Sequence, residues 1–129
     1  MTKQGEWYWH ELMTTNPRAA SEFYQTLLGW GVKDMPMGGP EPYRLWTMPG
    51  AAPDQSHGGM MKIGPEMGGA PSHWMIYVKV DNVDDAAKRV PQLGGKVVVP
   101  PTDVPGVGRF VIVQDPTGAT ISLMTPVAR

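Results

Sequence analysis

Asn16-Pro17-Arg18-Ala19-Ala20-Ser21-Glu22-Phe23-Tyr24-Gln25-Thr26-Leu27-Leu28-Gly29-Trp30 is the stretch on which the fold turns. Asn16 has the side chain of an N-cap, and Pro17 suits the first helical position, where its missing N–H leaves nothing unbonded. Ala19, Ala20, Phe23, Tyr24, Leu27 and Leu28 recur at helical spacing until Gly29 stops the run. Upstream, Trp7-Tyr8-Trp9-His10-Glu11-Leu12-Met13-Thr14 is aromatic and apolar enough for a strand. Downstream, strands are predicted around 30–35, 43–48 and 59–63, separated by Gly- and Pro-rich breaks at 37–42 and 49–54. The first half therefore reads βαβββ.

The second half repeats that order. Residues 64–71 read as a linker, and Trp74-Met75-Ile76-Tyr77-Val78-Lys79-Val80 alternates with period two. Asp81 or Asn82 caps a helix from Val83 to Leu93, with Pro91 distorting its last turn and Gly94-Gly95 ending it. Strands are predicted at 96–99, 109–114 and 119–124, broken by Pro100-Pro101 and by Asp115-Pro116-Thr117-Gly118. An offset of 65 pairs Trp9 with Trp74, Asn16 with Asp81, Leu28 with Leu93 and Gly29 with Gly94. The expectation is one domain over residues 1–129, an internal repeat of two modules at about 5–64 and 71–128. Its class is α+β: two βαβββ modules form a curved mixed sheet around a cavity, with the helices on the outer face.

Composition narrows the function. With 41% hydrophobic and 18% charged residues, the chain can build a core and lacks the signature of disorder. Eleven Lys plus Arg against twelve Asp plus Glu give no basic field for nucleic acid or an anionic membrane. No apolar run reaches the roughly 18 residues of a membrane span, and no apolar segment follows Lys3, so the expected location is cytoplasmic. The absence of Cys excludes disulfides, thiolate catalysis and Cys-ligated zinc, leaving three His as the soft ligands.

Residues 16–30 resemble the opening of a vicinal oxygen chelate module, of the glyoxalase, bleomycin-resistance and extradiol dioxygenase superfamily. Val80-Asp81-Asn82-Val83-Asp84-Asp85-Ala86, Leu93-Gly94-Gly95 and the closing Asp115-Pro116-Thr117-Gly118-Ala119-Thr120-Ile121-Ser122-Leu123 resemble its second module. Trp9-His10-Glu11-Leu12 and Val107-Gly108-Arg109-Phe110 are similar to a small glyoxalase-like subgroup. The resemblance implies a cavity with four metal positions, and often a dimer that completes it. Here the first falls on Trp9, the second within His57-Gly58-Gly59-Met60-Met61, the third near Met75 and the fourth on Ser122, where metal-dependent members carry Glu. His10, His57 and His73 lie nearby, each off its position. His10 sits one residue away on the opposite side of the pleat, where a helix-facing core histidine is expected. His57 and His73 adjoin Gly and Pro loops, which favours solvent-facing roles.

Strand alternation groups Trp7, Trp9, Glu11 and Met13 on one side of the first strand, and Met75, Tyr77, Lys79, Ser122 and Met124 on one side of two later ones. The opposite side carries Ile76, Val78, Val80, Ile121 and Leu123, suited to helix packing. An aromatic and Met-rich wall fits a flat, apolar small molecule or a dimer core. Glu11 among such neighbours must pair, bind ligand or protonate, and is the candidate general base. Arg109 offers a fork for a ligand carboxylate or a partner for Glu11. The first expectation is thus a small-molecule-binding protein of that superfamily, homodimeric and without a cofactor, with Trp9, Glu11, Met75, Tyr77, Arg109 and Ser122 about the ligand. The alternative is a lyase, isomerase or dioxygenase-type enzyme using a divalent metal through the displaced histidines, or Glu11 as general base.

Overall fold

The computed structural model describes residues 4–35, 43–49, 56, 58–64, 69–104 and 107–127. Its elements are β1 (Trp7–Thr14), α1 (Pro17–Leu28), β2 (Gly31–Met35), β3 (Tyr43–Thr47), β4 (Gly58–Lys62), β5 (His73–Lys79), α2 (Val83–Arg89), a 3-10 turn (Pro91–Leu93), β6 (Lys96–Val104), β7 (Gly108–Gln114) and β8 (Thr120–Pro126). The α+β class and the order strand, helix, three strands, twice over, are those read from the sequence. The chain divides into two compact units, His10–Trp74 and Met1–Trp9 with Met75–Arg129. β1 contributes residues to both.

In the unit His10–Trp74 the strand order is β2-β3-β4-β1, with β1 parallel to β4 and the other pairs antiparallel. The α1 signals act as the sequence suggests. Asn16 accepts a hydrogen bond from the Ala19 N–H at 3.1 Å, and Gly29 takes a left-handed φ of 75° while its N–H reaches the Gln25 carbonyl. Leu12, Trp46 and Met60 form the core, with Ala20 and Tyr24 of α1 and Trp30, Val32 and Met48 packed against it. Tyr24, Trp30, Trp46 and Trp74 all touch one another, with ring centroids 5.2–6.4 Å apart. Phe23, Leu27 and Leu28 stay exposed.

In the other unit the order is β1-β5-β8-β7-β6, with β5 parallel to β8 and antiparallel pairs beyond. Val83 of α2, Val111 and Val113 form a buried aliphatic core joined by Val80, Ala87, Ile121 and Leu123. Val80, Ile121 and Leu123 are on the helix-packing side that alternation assigned to them, whereas Ile76 of the same expected set is exposed. Asn82, the second of the two expected caps, accepts from the Asp85 N–H at 3.0 Å, so the matching helix start lies one residue later than an offset of 65 places it. Pro91 ends α2 early and opens the 3-10 turn, which Gly94 closes with a φ of 87°.

The expected break at Pro100-Pro101 does not occur. β6 runs through both prolines, with register shifts between Val97 and Val99 and between Val99 and Thr102. As the last strand of its unit, β6 can leave the missing N–H groups facing outward, and the bulges absorb the misfit. At Asp115-Pro116-Thr117-Gly118 the Asp115 carboxylate accepts from the Thr117 hydroxyl, the Thr117 N–H and the Ala119 N–H. These hydrogen bonds, the Thr117 hydroxyl foremost, hold its pKa below the usual carboxylate value.

Candidate functional site

Glu11 is buried, 6% exposed, on β1 of the unit His10–Trp74. The parallel β1/β4 register sets it opposite Gly59, and the antiparallel β3/β4 register sets Leu45 opposite the same glycine. Tyr43, two residues before Leu45, lies on that side of β3 and donates its phenol hydrogen to Glu11 Oε1 at 2.8 Å. Gly59 is what makes room: a Cβ built there would land on the Oη, Cζ and Cε2 atoms of Tyr43. The absent side chain is thus filled by a ring that reaches a buried carboxylate, and a hydrogen bond to a charged acceptor offsets part of its lost hydration. Sequence reasoning singled out Glu11 and missed Tyr43. The available signal was Gly58-Gly59 inside an apolar strand, which marks a close approach by another group.

The second group of expected residues lies in the other unit. Met75, Tyr77 and Met124 are buried together, with Tyr8, Trp9, Phe110 and Ile112 packed against them. Ser122 is fully buried, aligned with Tyr77 across β5/β8 and with Ile112 across β7/β8. Its hydroxyl donates to the Val111 carbonyl at 3.4 Å, a long contact for an O–H donor. Trp9, Met75, Tyr77 and Ser122 are therefore neighbours of one cluster, while Glu11 is held by Tyr43 in the unit His10–Trp74.

Arg109 requires a correction. Its Nε and Nη2 donate to the two carboxylate oxygens of Asp84 at 3.0 Å each, and its Nη1 donates to Asp103 at 3.0 Å. In place of its two expected roles, a fork for a ligand carboxylate or a partner for Glu11, the guanidinium forms a clamp joining α2, β6 and β7. The cause is alternation: residue 109 shares its side of β7 with Val111 and Val113, which pack on α2. The Arg109 hydrogen bond is the leading cause that keeps the Asp84 pKa below the usual carboxylate value, and the two aspartates raise that of Arg109.

His10 has the pleat phase of Leu12, as expected, yet it is exposed rather than a core histidine, because the core under α1 forms around Leu12 and stops short of it. His73 engages the Pro71 carbonyl through Nδ1 at 2.7 Å. His57 lies outside the described residues. At three of the four positions that the resemblance implies for a metal stand the Trp9 indole, the Met75 thioether and the Ser122 hydroxyl, the last in a long contact of 3.4 Å with the Val111 carbonyl. This donor set does not fit a divalent ion. Among the described residues no three His, Asp or Glu come together to hold one. Nor is any helix among them long and apolar enough to cross a membrane.

Comparison with known proteins agrees with this architecture. CFP32 of Mycobacterium bovis, provisionally named a glyoxylase, is 36% identical over 126 residues, covering 98% of this chain and 46% of that protein. The anthracycline biosynthesis protein DnrV of Streptomyces peucetius is 28% identical over 123 residues, covering 89% of this chain and 45% of that protein. The chain thus spans just under half the length of these relatives. In structure it resembles the Mn(II)-bound glyoxalase from Novosphingobium aromaticivorans, with a TM-score of 0.61 and 19% identity over 99% of this chain and 41% of the other, a likeness of fold. Residues 9–123 match the Glyoxalase/Bleomycin resistance protein/Dioxygenase superfamily, and with the strand order and helix placement above this makes the chain a member of that superfamily.

Proposed function

We propose that the chain binds a small molecule on the side of the sheet that carries Glu11 and Tyr43, and that it does so without a divalent metal. The observation that carries this reading is the buried Glu11 carboxylate, held by the Tyr43 phenol over the side-chain-free Gly59. Desolvating a carboxylate in a β-sheet opposes folding, and such groups are concentrated at sites of recognition or proton transfer. Met13, Leu45 and Met61 share that side of the strands by alternation, giving an apolar and adaptable surround. That DnrV is an anthracycline biosynthesis protein supports a small-molecule ligand.

A second reading is favoured by the same carboxylate. Glu11, with Oε1 fixed by Tyr43, is placed to act as a general base in a lyase or isomerase reaction. The two readings separate in Glu11→Gln, which leaves an enzyme able to bind but not to turn over.

The test of the first reading is a library of aromatic fragments titrated in the presence of chelator and followed by backbone amide shifts. Hits are expected to move the amides of Glu11, Tyr43 and Gly59 and to lose about tenfold in affinity, roughly 1.4 kcal/mol, in Glu11→Ala. Fragments that bind elsewhere, or bind Glu11→Ala as well as wild type, would refute it.

The chain is further proposed to form a homodimer. The exposed Phe23, Leu27 and Leu28 of α1 and the exposed Trp74 support this, since a second chain would cover large apolar side chains left in water. Sedimentation equilibrium at tens of micromolar should give twice the 14.1 kDa chain mass. A single-chain mass would end the proposal.

A further inference from the structure

We infer that Met13 and Met61 form a site for one soft monovalent metal ion of the copper(I) class, held between two thioethers on neighbouring strands. The parallel β1/β4 register makes these two residues direct partners, so both side chains leave the sheet on the same side. Neighbouring strands stand about 4.8 Å apart, roughly twice a metal–sulfur bond of about 2.3 Å. Two sulfurs that extend in step from such a pair can therefore grip one ion between them in a line. Methionine is unbranched and has three rotatable side-chain bonds, so the pair can close on an ion without moving the backbone.

Burial separates this pair from methionines that only fill a core. Met60, one residue earlier on β4 and on the opposite side of the pleat, is fully buried with Leu12 and Trp46. Met61 is 41% exposed and Met13 is half-buried, which leaves one partner anchored and the other open to solvent. The donor type decides the ion. A thioether is neutral and polarisable, so it holds hard or borderline divalent ions weakly and favours a soft monovalent one. Thiolates, which would outcompete it, are absent because the chain has no Cys. Neither the ion nor the ligand type is that of the divalent site implied by the resemblance, and the Met13–Met61 pair stands whether or not an organic molecule also binds this side of the sheet.

The test titrates silver(I), an air-stable ion of the same charge and softness, into protein carrying isotope-labelled methionine methyl groups, in buffer without chloride. Copper(I) kept reduced with ascorbate repeats it. The Met13 and Met61 methyl resonances are expected to shift together and to saturate at one ion per chain, while those of the buried Met60, Met75 and Met124 stay in place. Met13→Leu and Met61→Leu conserve volume, and each should weaken binding at least about tenfold. Met35→Leu removes another exposed thioether, but one whose strand partner is Tyr43, and should leave the affinity within about twofold of wild type. Zinc(II) at the same concentration should move neither methyl. Thermal unfolding of each variant checks that the fold survives. Met13 and Met61 methyls that shift independently or not at all in wild type overturn the inference, and so does binding that Met35→Leu weakens as much as Met61→Leu does. A zinc(II) response equal to that of silver(I) overturns it as well.

Discussion

Trp46→Ala is expected to lower the melting temperature by about 10–20 °C, the largest effect of any single truncation in the unit His10–Trp74. Trp46 is 2% exposed and touches Tyr24, Trp30 and Trp74, so alanine leaves a cavity walled by three rings that cannot all close on it. Truncating a buried Trp or Phe costs about 3–5 kcal/mol, and for a chain of this length each kcal/mol moves the midpoint by roughly 3–4 °C. The Trp46 indole N–H is buried without a hydrogen-bond partner among the described residues, which makes Trp46→Phe a useful companion. That change removes the orphaned donor as well as volume, so it should cost much less than alanine. Thermal unfolding followed by circular dichroism measures both. A loss under about 1 kcal/mol for Trp46→Ala would show that this cluster is not the core of its unit.

The second large effect is expected at Ser122→Glu, which installs the carboxylate that the sequence resemblance implies for this position in metal-dependent members of the superfamily. Ser122 is fully buried on β8, its hydroxyl on the Val111 carbonyl and its strand neighbours Tyr77 and Ile112. A glutamate there adds volume to a filled site, about 1–3 kcal/mol, and buries a charge with no cation against it, several kcal/mol more. Together these approach the total stability of a domain of this size, so the variant should unfold well below wild type or fail to fold. Ser122→Ala is the control. It gives up only a 3.4 Å hydrogen bond and should cost about 1 kcal/mol or less. A Ser122→Glu protein as stable as wild type would mean that the β8 site has a cation or room that the described residues do not supply.

The difference between what was legible in the sequence and what was not follows the range of the interactions. The start and stop of α1 depend on Asn16, Pro17 and Gly29, whose effects act within one helical turn, and they are where the sequence places them. The distortion at Pro91 is local in the same way. The path of β6 through Pro100 and Pro101 is not, because a proline is tolerated in a strand only at an edge, and position in a sheet is set by partners far away in the chain. Arg109 was ambiguous for a related reason. Both sides of β7 are apolar, Val111 and Val113 on one and Phe110 and Ile112 on the other, so alternation alone did not say which side meets α2. For His10 the side of the strand was readable and its burial was not, since burial depends on how far α1 reaches over β1. The candidate site shows the same limit. Glu11 stood out as a charge in an aromatic strand, but its bond to Tyr43 exists only through the combined β1/β4 and β3/β4 registers, which no local pattern states.

The claim that this surface takes a small molecule without a divalent ion is tested most directly by thermal unfolding with and without 2-naphthol. Each condition is run in chelator and again in excess manganese, zinc, nickel or iron(II), for wild type, His10→Ala and His73→Ala. The account predicts that 2-naphthol raises the midpoint equally in chelator and in every metal, and that neither histidine substitution changes the shift. The contradicting result is a metal-dependent one. An ion bound to the native state at a hundred times its dissociation constant stabilises by about 2.7 kcal/mol, a rise of several degrees here. Such a rise, lost in His10→Ala or His73→Ala, or stabilisation by 2-naphthol seen only with metal present, would place the function with the metal-dependent members of the superfamily.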